Sequence, residues 1–204
     1  MKRFFVFALF AAGAWFYVSR PAAPVVQSAP PPVSVQASSE LDPPIQRNAG
    51  VPAAFEVNGY ELRALQAFAL KARVLSVEPY RTGREAELAP IDVAFGWGRM
   101  ADPAVSDQLS ISQSGRWYYW RYSGAPPLPP REIETSSANM HLIPASREVA
   151  QALRSIDKGR IVSLRGYLVE ARAKDGWSWR SSLSRDDTGA GSCEVVFVQA
   201  IEAH

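Results

Sequence analysis

An uncharged apolar run, Phe4 to Val18, stands directly behind Met1-Lys2-Arg3 and cannot belong to a water-soluble domain unless other residues pack around it. Nothing in the next thirty residues has the composition to do so. The run is fifteen residues long, somewhat short of the roughly 20 that a bilayer core asks for. Ser19 and the snorkelling stem of Arg20 lengthen it. The basic start favours a cytoplasmic N-terminus with the remainder sent across. A cleaved signal peptide has the same outline. Cutting after Ala12-Gly13-Ala14, however, would leave Trp15-Phe16-Tyr17-Val18 as a greasy new terminus, and Arg20-Pro21 burdens any later cut. An uncleaved signal anchor over residues 1–20 is the better reading. No cysteine follows the run, which argues against a lipoprotein. The expectation is a single-pass protein of a bacterial inner membrane, held through residues 4–20, with its C-terminal domain in the periplasm.

Residues 21–52 hold eight of the sixteen prolines, at 21, 24, 30, 31, 32, 43, 44 and 52. Such composition buries little apolar surface, and proline keeps a chain extended at roughly 3.1 Å per residue. A semi-rigid linker is expected there. Folding is then confined to residues 53–204, the usual size of one domain. That stretch balances 18 Arg and Lys against 18 Asp and Glu. It lacks the basic bias of a nucleic-acid binder, so no nucleic-acid partner is expected. The chain's one cysteine, Cys193, cannot form an intrachain disulfide, and packing must hold the fold.

Asn58-Gly59 between Val57 and Tyr60 signals a tight hairpin. Leu62 to Val77 is ambiguous. Leu62, Leu65, Ala69 and Ala72 have helical spacing, whereas Phe68, Leu70, Ala72 and Val74 alternate, so the second half reads as a strand. Asp102-Pro103 opens a short helix to about Leu109. Ile111 to Gln113 and Trp117 to Tyr122 read as strands. Ser146 to Lys158 is the clearest helix, with Gly159 placed to end it. Ile161 to Ala171, Trp177 to Leu183 and Val195 to Ile201 complete the strands, and Gly166 marks a bulge or bend. The expected class is mainly β with one or two helices (α+β), arranged as a small OB-like or half-closed barrel.

Three stretches are richer than folding requires: Pro90 to Met100, Ser136 to Ala145 and Trp177 to Glu194. They contain the words W-G-x-M (Trp97 to Met100), S-A-N-x-H-x-I-P (Ser137 to Pro144) and S-S-L-x-R-x-D-x-G-x-G-S-C-E (Ser181 to Glu194). On these words the chain resembles a family of uncharacterised bacterial proteins, each with a short N-terminal membrane segment and one exported domain. The resemblance covers most of residues 60–200 and implies topology rather than an activity.

Cys193, His141 and either Asn139 or Asp187 supply the residue types of a thiolate nucleophile, its base and an orienting group. Against this stands a buried His bonded to backbone and a small thiol opening an apolar strand. One His, one Cys and a few Met do not make a metal site of recognised spacing, and no cofactor is expected. Asp187-Thr188-Gly189-Ala190 matches the D-T-G-A of aspartic proteases, but without a second copy it reads as a glycine-rich loop. Pro126 to Pro130 reads as a stiff loop. Trp117, Tyr118, Tyr119, Trp120 and Tyr122 put aromatic rings on both faces of one strand, and Trp177 and Trp179 share a face of another. Of these, Trp117, Trp120, Trp177 and Trp179, together with Trp97, Asn139 and Arg185, are the expected binding residues, stacking on cell-wall sugars or gripping an envelope protein. The sequence thus favours an envelope binding or accessory module, leaning away from an enzyme. A cysteine-dependent hydrolase or transferase, with His141, Cys193 and Asp187 as catalytic residues, is the alternative.

Overall fold

The computed structural model describes residues 23–48, 52–184 and 193–204. Among these residues no helix is long and apolar enough to cross a membrane; the expected anchor lies outside them. In chain order the strands are β1 (Val26–Gln27), β2 (Ile45–Arg47), β3 (Phe55–Val57), β4 (Tyr60–Pro79), β5 (Ile91–Gly96), β6 (Ser110–Ser114), β7 (Trp117–Arg121), β8 (Ser137–Pro144), β9 (Ile161–Arg172), β10 (Ser178–Arg180) and β11 (Glu194–Ala203). The helices are α1 (Arg84–Leu88), α2 (Pro103–Ser106), α3 (Pro130–Thr135) and α4 (Arg147–Arg154). The protein is therefore mainly β with helices added, as its alternating apolar patterns imply.

Five strands pair in a circuit. β4 pairs β5, β5 pairs β8, β8 pairs β11, β11 pairs β9, and β9 returns to β4. Only the β8–β11 pair is parallel within that circuit. All five strands send side chains into one buried cluster, including Phe68, Val93, Leu142, Leu164 and Val196. Val149 and Leu153 of α4, with Ile156 just beyond it, join the same cluster. Burying each such side chain contributes about 1.5–3 kcal/mol relative to exposure.

β4 is one continuous strand, so the helical spacing of its first half is a false signal. The register against β9 shifts between Ala64 and Gln66. A bulge adds one residue and swaps the two faces of the strand beyond it. Leu62 and Ala64 point to an outer apolar cluster, and so does Ala67, whereas Phe68, Leu70, Ala72 and Val74 point to the inner one. Leu65 sits at that break, which is why Leu62, Leu65 and Ala69 mimic a helix.

The hairpin at Asn58-Gly59 forms as expected, with Val57 opposite Tyr60 and positive φ at both turn residues. Asp102 caps α2 through the Ala104 N–H at 2.8 Å, and Ser146 caps α4 through the Val149 N–H at 3.2 Å. Both helices are shorter than their patterns suggest. Gly159, at φ 88°, comes after α4 has already ended, and its N–H donates to Val74. The expected strand from Trp177 shrinks to β10.

The proline-rich segment is not a free spacer over residues 23–48. It runs along the domain as a strap. β1 pairs β3, β2 pairs β4, and Val33 is buried in the outer cluster with Phe55, Tyr167 and Phe197. Proline offers no N–H but keeps its carbonyl. Here those carbonyls are used: Tyr167 Oη donates to Pro31 O at 3.0 Å, and Gln199 Nε2 donates to Pro30 O and Pro31 O. Gln199 in turn accepts from the Val33 N–H at 2.9 Å. Composition alone missed this because it counts buried area and not acceptors offered to a neighbouring side chain.

Candidate functional site

β5 and β8 set the site. Their antiparallel register places Asp92 opposite His141 and Ala94 opposite Asn139, so these side chains share the outer face. β11 lies on the other edge of β8, with Val195 opposite His141. Cys193, two residues before Val195, therefore enters on the same face. Asp92 is fully buried and His141 nearly so. A lone carboxylate at that depth needs partners, and three neighbours surround it. Arg116 Nη1 donates to Asp92 Oδ1 at 2.6 Å. Asn139 Nδ2 reaches Oδ2 at 3.4 Å. His141 Nδ1 lies 2.9 Å from Oδ2, with its N–H direction turned off the line between them.

Arg116 comes from the tip of the β6–β7 hairpin. Gly115 and Arg116 both have positive φ, at 58° and 72°, the pattern of a two-residue type I′ turn. Glycine would suit the second position better, and an arginine there carries a backbone cost of order 1 kcal/mol. Its side chain explains the choice. The guanidinium stacks on Tyr80 at 3.8 Å, binds Ala89 O at 2.9 Å and ends on Asp92. Its backbone is used as well: the N–H donates to Tyr80 Oη, the carbonyl accepts from Asn139 Nδ2 at 3.1 Å, and Cys193 Sγ sits 4.0 Å from that carbonyl. Gln113 donates to Asn139 Oδ1 at 2.6 Å. The hairpin is thus tied to the sheet through a polar cluster built around Asp92, Gln113, Arg116 and Asn139.

Beside the cluster opens a cavity of about 220 Å³, lined by Arg116, Trp117, His141, Trp179, Arg180 and Cys193. Its walls are mostly ring and alkyl surface. Rings run in a row into it: Tyr60 to Trp177 at 5.6 Å, Trp177 to Trp179 at 6.3 Å, and Trp179 to His141 at 4.7 Å. Arg84 covers Trp177, and Arg180 is held by Glu170 at 3.2 Å. Among the described residues no group of three His, Cys, Asp or Glu is placed to hold a metal ion.

The structure therefore brings His141, Cys193, Trp117 and Trp179 to one cavity, with Asn139 directly behind it. Trp177 forms the outer part of the ring row. Two expected binding residues lie elsewhere. Trp97 is 3% exposed and belongs to the inner cluster, so it has no surface for a ligand. Trp120 turns inward with Tyr118 over Leu75, Met100, Leu128 and Ile133, and stacks on Tyr122. Strand alternation leaves Trp117 and Tyr119 on the exposed face. Arg185 and Asp187 lie outside the described residues. Sequence reasoning missed Asp92, Arg116 and Arg180. A solitary acid in Ile91-Asp92-Val93-Ala94-Phe95 was a signal, but its partners appear only with the register.

The inward face of the hairpin carries a pH consequence. Burial pushes the Tyr118 phenol up to about 12 from its ordinary 10.0, opposed by its hydrogen bond to Ser137. A folded value above the unfolded one means the neutral phenol is favoured by folding. That stability is fully present below pH 10 and is lost as pH rises through about 12. Urea midpoints measured from pH 9 upward should fall across this window, and less steeply in Tyr118→Phe. Equal slopes in the two proteins would contradict the assignment.

Comparison with protein families, with curated proteins and with solved structures finds no match to this chain.

Proposed function

We propose that the chain is a membrane-anchored binding or accessory module of the bacterial envelope, its domain an OB-like barrel on the periplasmic side. The order of pairing supports the barrel. Numbered along the circuit, the strands run first, second, third, fifth, fourth and back to the first, with a helix between the third and fourth. In OB-folds, ligands such as oligosaccharides lie on the second and third strands and the adjoining loops. Here these are β5, β8, the loop bearing Tyr80 and the loop bearing Trp177 and Trp179.

The observation that carries the reading is the cavity between Trp117 and Trp179. A space of about 220 Å³ with indole walls and two arginines suits one sugar ring of a cell-wall glycan, stacked by its apolar face and bonded at its hydroxyls or carboxylate. The domain's balanced charge leaves little to attract a polyanion non-specifically. The anchor proposed for residues 4–20 would keep the module beside its ligand.

Titration with soluble cell-wall glycan fragments, followed by tryptophan fluorescence, tests this. Saturable quenching is expected. Trp117→Ala removes a half-exposed ring without touching the polar cluster, and should weaken binding about ten-fold, or ~1.4 kcal/mol. Absence of saturation with every fragment, or unchanged affinity in Trp117→Ala, would remove the glycan reading.

A further inference from the structure

Three groups meet at the cavity in the order that thiol chemistry needs. Cys193 and His141 both line it. Asp92, fully buried, stands behind His141 at 2.9 Å from Nδ1. Cys193 stands just before β11, whose parallel register sets Val195 opposite His141, and the thiol and the imidazole thereby reach the same cavity. His141 Nδ1 lies beside the Asp92 carboxylate at 2.9 Å but off the hydrogen-bonding line, and a small turn of the ring would let an Nδ1 N–H donate to Oδ2 and leave the lone pair on Nε2. Asp92 is itself fixed by Arg116 and Asn139, which anchors the ring from behind. A polar cluster of this kind buried under a hairpin tip, in a domain with ample apolar core, is more than folding requires.

We propose that Asp92, His141 and Cys193 form a thiol acyl-transfer site, with an ester as the acyl donor. It uses the cavity of the binding reading but does not depend on glycan being the ligand. The Cys193 S–H proton passes to His141 Nε2, and the thiolate attacks the ester carbonyl. A C–S bond forms and the C–O bond breaks. The alcohol leaves with the proton held on Nε2. Water then adds to the thioester, its proton taken by His141, and the acid leaves as the thiol is restored. Among the described residues, the charged groups facing this site are Asp92 from β5, Arg116 from the hairpin, and Arg180 from β10 with its partner Glu170. The two arginines line the cavity where negative charge develops on the carbonyl oxygen. Cys193 and His141 are the catalytic residues, and Asp92 is a positioning residue.

The full-length chain in detergent micelles, incubated with p-nitrophenyl acetate, provides the test by intact mass and peptide mapping. An acetyl group is expected on Cys193, and none in Cys193→Ser. His141→Gln should slow acylation about a hundred-fold, the lower range of general base catalysis. Asp92→Asn should slow it as well, with Asp92→Glu restoring part of the rate, a rescue that a merely structural role would not give. Circular dichroism on each variant separates lost chemistry from lost fold. No adduct in the wild-type protein, or an equal rate in folded His141→Gln, overturns the proposal. So does a wild-type Cys193 that iodoacetamide leaves unmodified, an experiment that needs no variant to fold. Glycan binding is read separately on the wild-type protein, so failure of acylation leaves the binding reading standing, and failure of glycan binding leaves this one.

Discussion

Replacing Gly166 with alanine is expected to cost the domain at least about 3 kcal/mol, a large part of the 5–15 kcal/mol that holds a typical domain folded. The reason is a close approach of two backbones. A Cβ at this position would meet Phe197 O at 1.8 Å and Phe197 C at 2.9 Å. No side chain can swing aside to relieve that contact. Gly166 lies on β9 opposite Val198, where the register against β11 shifts between Val198 and Ala200. The extra residue in β11 presses its backbone toward β9, and only a residue without Cβ leaves room. Gly176 provides the control. It has φ 90° but nothing within 4 Å of a would-be Cβ, so alanine there should cost only about 1 kcal/mol from backbone strain. Urea unfolding of both variants decides the matter. Comparable midpoints for the two would show that the strands can move apart cheaply.

The second large effect is expected at Arg116. Alanine there removes the 2.6 Å partner of a carboxylate with no exposed surface. Breaking such a buried pair from one side typically costs about 3–5 kcal/mol, because the remaining charge is stranded. The loss of stacking on Tyr80 adds to this. Alanine keeps the strain of the positive φ, and Arg116→Gly, which relieves it, should show how much that strain costs. Adding Asp92→Asn to Arg116→Ala takes away the stranded charge and should recover a good part of the stability. A double-mutant cycle by denaturant unfolding measures the coupling. If Arg116→Ala falls within about 1 kcal/mol of the parent, Asp92 is satisfied by other groups and the pair is not what docks the hairpin.

Much of the β architecture was legible because apolar residues alternate and turn residues sit between the runs. Asn58-Gly59, Asp102-Pro103 and Ser146 each act locally, and each does in the structure what its chemistry implies. The misreadings arise where a distant strand decides. The bulge near Leu65 swaps the faces of β4, so one strand carries two phases and mimics a helix. The prolines of the strap are held by Tyr167 and Gln199, which lie more than a hundred residues away in sequence. Half of the candidate site was visible. His141 and Cys193 are rare residues in unusual local contexts, so they stand out without a structure. Asp92 and Arg116 are common residues whose roles are created by pairing: β5 against β8 for the first, and docking of a hairpin turn for the second.

The strap changes the geometry of any membrane attachment. With Phe4 to Val18 in a bilayer, as proposed, β1 begins at Val26 and is already hydrogen-bonded to the domain. Only residues 19–25 are left as leash, at most about 25 Å even when fully stretched. A free stalk over residues 21–52 would let such a protein sweep a wide volume. A mooring this short would instead hold it against the lipid headgroups and confine its work to whatever lies at the membrane face.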